Sequence, residues 1–145
     1  MSSRAVQLKD LLVAAGVGTF NVTDKQDQTS WSINVGRMPD VDRTITLYDS
    51  GGKAPNPAWL VDYPTVQVKV RGNESDYVNA VDKAEEVKNA LLGLDSQTID
   101  GDIYVSVSMI GDRNFLGYDD NGRPLFSLNF QLIINPATGT YRKSL

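Results

Sequence analysis

The chain has 145 residues, the length of one ordinary domain, and its 41% hydrophobic and 22% charged residues are those of a packed globular protein. A net charge of -4 and a sequence pI of about 4.7 argue against a dedicated duplex-DNA binder, which presents a basic face. Cysteine and histidine are both absent, which removes imidazole-dependent triads, thiolate or imidazole zinc sites and disulfide frameworks together.

Ala5, Leu8, Leu12 and Ala15 fall at helical spacing, so the sequence predicts a first helix over 3–15. Ser2 or Ser3 caps its start, and Gly16 stands where a left-handed C-cap belongs. Gln7, Lys9 and Asp10 interrupt its apolar residues, so no secretory signal is expected there, and no run of about 18 apolar residues is available for a membrane helix. A short strand is expected within 17–23 and a polar loop over 24–29. Trp31, Ile33 and Val35 then alternate with Ser32 and Asn34, the pattern of a half-buried strand.

The strand predicted over 43–49 alternates Ile45 and Leu47 with Thr44, Thr46 and Tyr48. Residues 50–62 hold two glycines, two prolines and Trp59, and read as a long irregular loop of the kind that carries function. Val66, Val68 and Val70 line one face of the next strand, opposite Gln67, Lys69 and Arg71. The strongest helix follows: Tyr77, Ala80, Val81, Ala84, Val87, Leu91 and Leu94 form one stripe. Asn73 or Ser75 is the expected cap and Gly93 the stop.

The last third is read as strands. Ile103, Val105, Val107 and Met109 alternate with Tyr104, Ser106 and Ser108, and Phe126, Leu128, Phe130, Leu132 and Ile134 repeat the pattern. Between them Asn121-Gly122 signals a hairpin turn. This order predicts an α+β domain over 1–136: two layers, a mixed, mostly antiparallel sheet with two helices packed on one face. Residues 137–145 are a polar tail, expected to be mobile until a partner orders it. Sheet edges in so small a fold must be blunted or paired with another copy.

Candidate chemistry is sparse. Asp119, Asp120, Asn121 and Gly122 lack the ligand spacing of a calcium loop and read as a turn. Asp40, Asp42, Asp49 and Asp62 surround the long loop as acid/base or cation candidates, although aspartates are common turn residues. Ser50-Gly51-Gly52-Lys53 lacks the length of a phosphate cradle. Lys53, Lys69 and Arg71, with Trp59 or Tyr63 for stacking, would suit nucleic acid, but solvated strand charges explain them better in an acidic chain. The glycosylation sequons at Asn21 and Asn73 are read as accidental. Trp59 stands apart, because a tryptophan between prolines is either pinned into its own core or offered to a partner.

The blocks Met38-Pro39-Asp40, residues 45–52 (ITLYDSGG), residues 63–71 (YPTVQVKVR) and the helix ending Ala90-Leu91-Leu92 occur in one order. In these the sequence resembles the tail terminators of long-tailed siphophages. The resemblance implies a non-enzymatic virion protein of the tail and neck, without cofactor or metal, assembled in the bacterial host cytoplasm. It implies a ring of identical copies, hexameric in the family, on the head-proximal end of the tail tube. Its implied partners are itself, the tube protein and the head–tail connector; genomic DNA passes its lumen without sequence-specific binding, and no membrane is involved. Such a ring needs two different surfaces per copy. The candidates are Trp59, Lys53, Tyr63, Lys69 and Arg71 for one, and Tyr118, Arg123 and Arg142 for the other or for the tube. Two other readings stay open: a different neck or head-completion protein, and a carboxylate-based, metal-dependent hydrolase.

Overall fold

The computed structural model describes residues 3–20, 30–94 and 96–138. Helix α1 spans Arg4–Ala14, with Ser3 as its cap accepting a hydrogen bond from the Val6 N–H at 3.2 Å. The chain continues through β1 (Thr19–Phe20), β2 (Ser32–Val35), β3 (Thr44–Asn56) and β4 (Val61–Arg71). Helix α2 (Tyr77–Leu92) follows, then β5 (Gln97–Ile99), β6 (Asp102–Met109), β7 (Asn114–Tyr118) and β8 (Pro124–Asn135). The predicted loop 24–29, residues 21–23 of the predicted strand 17–23, Ser2, the Asn21 sequon and the tail from 139 on lie outside the described residues.

All eight strands form one mixed sheet in the order β1-β2-β3-β4-β8-β6-β5, with β7 also pairing β8. β1, β2 and β3 are parallel neighbours and every other pairing is antiparallel. The long β8 carries β7 along its first half and β6 along its second, on the flank opposite β4. The two helices pack against the sheet through Ala5, Leu8, Leu12, Ala80, Ala84, Val87 and Leu91, which meet Ile45, Leu47, Val66, Val68, Val70 and the inward residues of β8 in one core. This is the expected α+β arrangement.

Four expectations need correction. The stretch 50–62 is not an irregular loop: β3 runs through it to Asn56, and after a four-residue turn β4 returns from Val61. Glycine makes this possible. Gly52 has φ +118°, and a Cβ there would lie 2.2 Å from the Tyr63 carbonyl oxygen, so the register shift beside it is open only to glycine. The strand 31–35 is not half-buried, since Ser32 and Asn34 are enclosed as fully as Ile33. Asn34 donates to the hydroxyls of Ser32 (2.9 Å) and Thr44 (3.2 Å), which satisfies the polar groups thus enclosed.

The alternation read over 103–109 is also broken. Tyr104 points into the core while Ile103 and Val105 are exposed, and a register shift between Tyr104 and Ser106 restores Val107 and Met109 to the inner face. Finally, the cap of α2 is Asp76, whose carboxylate accepts from the Asn79 N–H; neither Asn73 nor Ser75 serves. Ser75 instead has φ +58° and its N–H bonds the Gly122 carbonyl, tying the start of the helix to the β7–β8 turn.

Candidate assembly interface

Trp59 sits at the tip of the β3–β4 hairpin with 76% of its surface exposed. The turn that presents it is tightly built. The Asn56 side chain accepts from the N–H groups of Ala58 (3.0 Å) and Trp59 (3.2 Å). Leu60 is held at φ +54° with only 9% exposure, so a buried leucine in a left-handed conformation anchors the turn and leaves Trp59 outside. Backbone of this kind costs of order 1–3 kcal/mol, which the rest of the turn must offset. Further down the arm, the Lys53 ammonium lies 5.1 Å from the Tyr63 ring centre. Gln131 donates to the carbonyls of Tyr63 (3.2 Å) and Pro64 (3.3 Å), fixing the arm to β8. Lys69 lies near the Tyr48 ring, on the same face of the sheet as Tyr63.

Arg71 and Arg123 behave differently. They come together at the opposite end of the strands, and both are buried within the subunit, at 8% and 6% exposure. Arg71 donates to the carbonyls of Pro39 (2.5 Å) and Val41 (2.6 Å), which holds the β2–β3 connection over the face of the sheet away from the helices. Arg123 reaches Asp119, Asp40 and Asp42 at 2.8, 3.1 and 3.3 Å. Burial by itself raises the Asp119 carboxyl. The N–H groups of Arg123 and Asn121 and the Arg123 guanidinium outweigh it, and its pKa stands below the ordinary carboxylate value. Above Arg123 lies an open, acid-rimmed cleft of about 670 Å³ whose lining includes Asp40, Asp42, Glu74 and Asp120.

Tyr118 is exposed at the end of β7, and Arg142 lies outside the described residues. Around Tyr118 the structure adds residues that the sequence reading passed over. Phe115 stacks edge-on to Tyr77 and Tyr118, with centroids 5.3 and 5.5 Å away, and Leu116, next to it in the chain, is exposed. The signal was the adjacent pair Phe115-Leu116, which breaks the alternation of an edge strand and leaves apolar groups on both sides. Among the described residues no group of three or more acidic side chains converges to hold a metal ion. Asp49, a cation candidate by sequence, instead accepts the Ala5 N–H of α1 at 3.0 Å.

No curated protein matches the chain in sequence. One chain of a solved structure, described as the virion of a native gene transfer agent (GTA) particle, shares the fold with a TM-score of 0.68 at 10% identity; the match covers 91% of this chain and 94% of that one. A family model described as bacteriophage tail terminator protein matches residues 11–136, most of the chain. The chain belongs to the bacteriophage tail terminator family.

Proposed function

We propose that this subunit closes into a ring, hexameric as the resemblance implies, on the head-proximal end of a siphophage tail tube. There it stops tube polymerisation and offers the surface that the head–tail connector engages. The observation that carries the reading is the pair of unlike exposed surfaces on one small fold. One is the Trp59 turn at the end of the β3–β4 arm, and the other is the Phe115, Leu116 and Tyr118 flank of β7. A cyclic assembly of identical copies requires two different patches per subunit, which meet head to tail. Virion assembly in the host cytoplasm, with DNA passing through the lumen, follows from the same reading. The role is structural and involves no cofactor.

Native mass spectrometry of the full chain, alone and with purified tail tubes, tests the ring. A single closed stoichiometry supports it, and a strict monomer under both conditions overturns it. Deleting the gene separates this function from that of another neck component: loss of a terminator gives abnormally long tails, whereas loss of a head-completion protein gives normal tails and leaking heads.

A further inference from the structure

The sheet has two open flanks of opposite character. On one side β2 ends at Val35, with the Gly36 N–H bonded to the Leu47 carbonyl; from Tyr48 onward the outer edge of β3 has no strand beside it among the described residues. On the other side β5 covers only Asp102–Tyr104 of β6, and the outer edge of β7 is likewise uncovered among the described residues. β7, with the sequence NFLGY, carries no charge and no proline, two of the devices that keep an edge strand from pairing, although it is short and has a register shift between Phe115 and Gly117. Phe115, Leu116 and Tyr118 are all exposed along it.

We infer that β7 of one copy adds to the open edge of β3 in the next copy, as an antiparallel strand, and that this ladder is the lateral contact of the ring. The inference rests on the ring reading and names its residues. Two observations select a second copy as the occupant. First, β3, β4 and β8 alternate in direction and β7 runs opposite to β8, so β7 runs opposite to β3. In a ring whose axis runs parallel to the strands, rotation preserves their direction, and β7 then meets a neighbour's β3 antiparallel, the favoured ladder.

Second, β2 fixes the register, because it occupies β3 up to Leu47 and an incoming strand starts at Tyr48. Tyr118 then pairs Asp49, the first open residue that shares its face of the sheet, and Asn114 comes level with Lys53, before Pro55 removes a donor. Asn114 and Lys53 share the face away from the helices, since their ladder partners Ser127 and Tyr63 both lie there. Five paired residues bury much less than the about 800 Å² per partner of a standard interface. A single contact is therefore weak, and closure, in which every copy uses both flanks, supplies the stability.

The absence of cysteine makes the test clean. The double variant Lys53→Cys, Asn114→Cys, assembled and oxidised, is expected to give a disulfide-linked ladder on a non-reducing gel, with neither single variant cross-linking. A dimer from either single variant means that like edges pair, and overturns the inference. Rings that form normally without a ladder overturn it too, while leaving the ring reading intact. A wild-type chain that stays monomeric even on tail tubes overturns the ring itself. Leu116→Lys is the independent check. It should raise the assembly midpoint about tenfold or more and leave the subunit melting temperature within about 2 °C; unchanged assembly shows that the edge is not used.

Discussion

Arg71 and Arg123 converge on one carboxylate oxygen of Asp119: the Arg123 Nε donates to it at 2.8 Å, and the Arg71 Nε lies 4.0 Å away. Two buried guanidiniums in such proximity repel unless acid stands between them. Asp119 also accepts from the N–H groups of Asn121 (3.0 Å) and Arg123 (2.9 Å), so one side chain shapes the turn and neutralises the pair. Arg71 in turn carries the 39–41 backbone and Arg123 carries Asp40 and Asp42. Three separate chain segments are thereby fastened at one point.

Asp119→Ala should therefore destabilise the subunit by about 3–5 kcal/mol, the usual effect of leaving a buried cation without its partner. Chemical denaturation checks it. Asp120→Ala, one residue on and solvent-exposed, serves as control and should stay within about 0.5 kcal/mol. Equal effects from the two would mean that the arginines are neutralised by Asp40 and Asp42 alone.

Acid sensitivity has a second source. Burial raises the Asp102 carboxyl, but the Ala137 N–H, the Gln7 amide and the Arg4 guanidinium outweigh it and lower its pKa, as happens at Asp119. A carboxylate depressed in the folded state stabilises fully above its unfolded pKa, about 3.9, and this stability is lost as pH falls through the folded value. With no histidine in the chain, no unperturbed side chain titrates between about pH 5 and 8. Urea midpoints should thus be flat across that range and fall below about pH 4, with Asp102→Asn and Asp119→Asn showing shallower falls. A midpoint that changes between pH 5 and 8 would contradict the assignment.

Val87 on α2 is fully enclosed, whereas Val78 on the same helix is 64% exposed. Val87→Asp places an unpaired charge in the core and should leave no folded protein, with a loss of more than about 4 kcal/mol. Val78→Asp should remain within about 0.5 kcal/mol. Circular dichroism melts of the two variants test the depth of the helix face.

That face was legible in sequence because a helix stripe reports burial through spacing alone, and Ala80, Ala84, Val87 and Leu91 obey it. The inward residues of β8 and the turn at Gly122, with φ +73°, were legible for the same local reason. The arm was not. Gly51, Gly52, Pro55 and Pro57 are individually loop-forming, and only pairing with β4 makes a strand of them. The inversion at Val105 was hidden because a register shift leaves no trace in a short alternating run. Arg71 and Arg123, 52 positions apart by number, read as surface charges; their burial depends on carbonyls and acids of the β2–β3 connection, which no local pattern records.

Trp59 makes the sharpest distinction between folding and assembly. Its ring is outside the core, while Asn56 and Leu60 hold the turn without it. Trp59→Ala should leave the melting temperature of the isolated subunit within about 2 °C. If the arm tip anchors a neighbouring protein, the same change should weaken that contact by about 2 kcal/mol or more, as truncation of a central aromatic does. Leu60→Gly should do the reverse. It removes a buried anchor and lowers the melting temperature, while glycine accepts the φ of +54° without strain and the turn survives. Sedimentation of each variant with tail tubes, normalised to folded protein, separates the two effects. A fall in melting temperature for Trp59→Ala with unchanged binding per folded subunit would place the residue in the fold rather than at the contact.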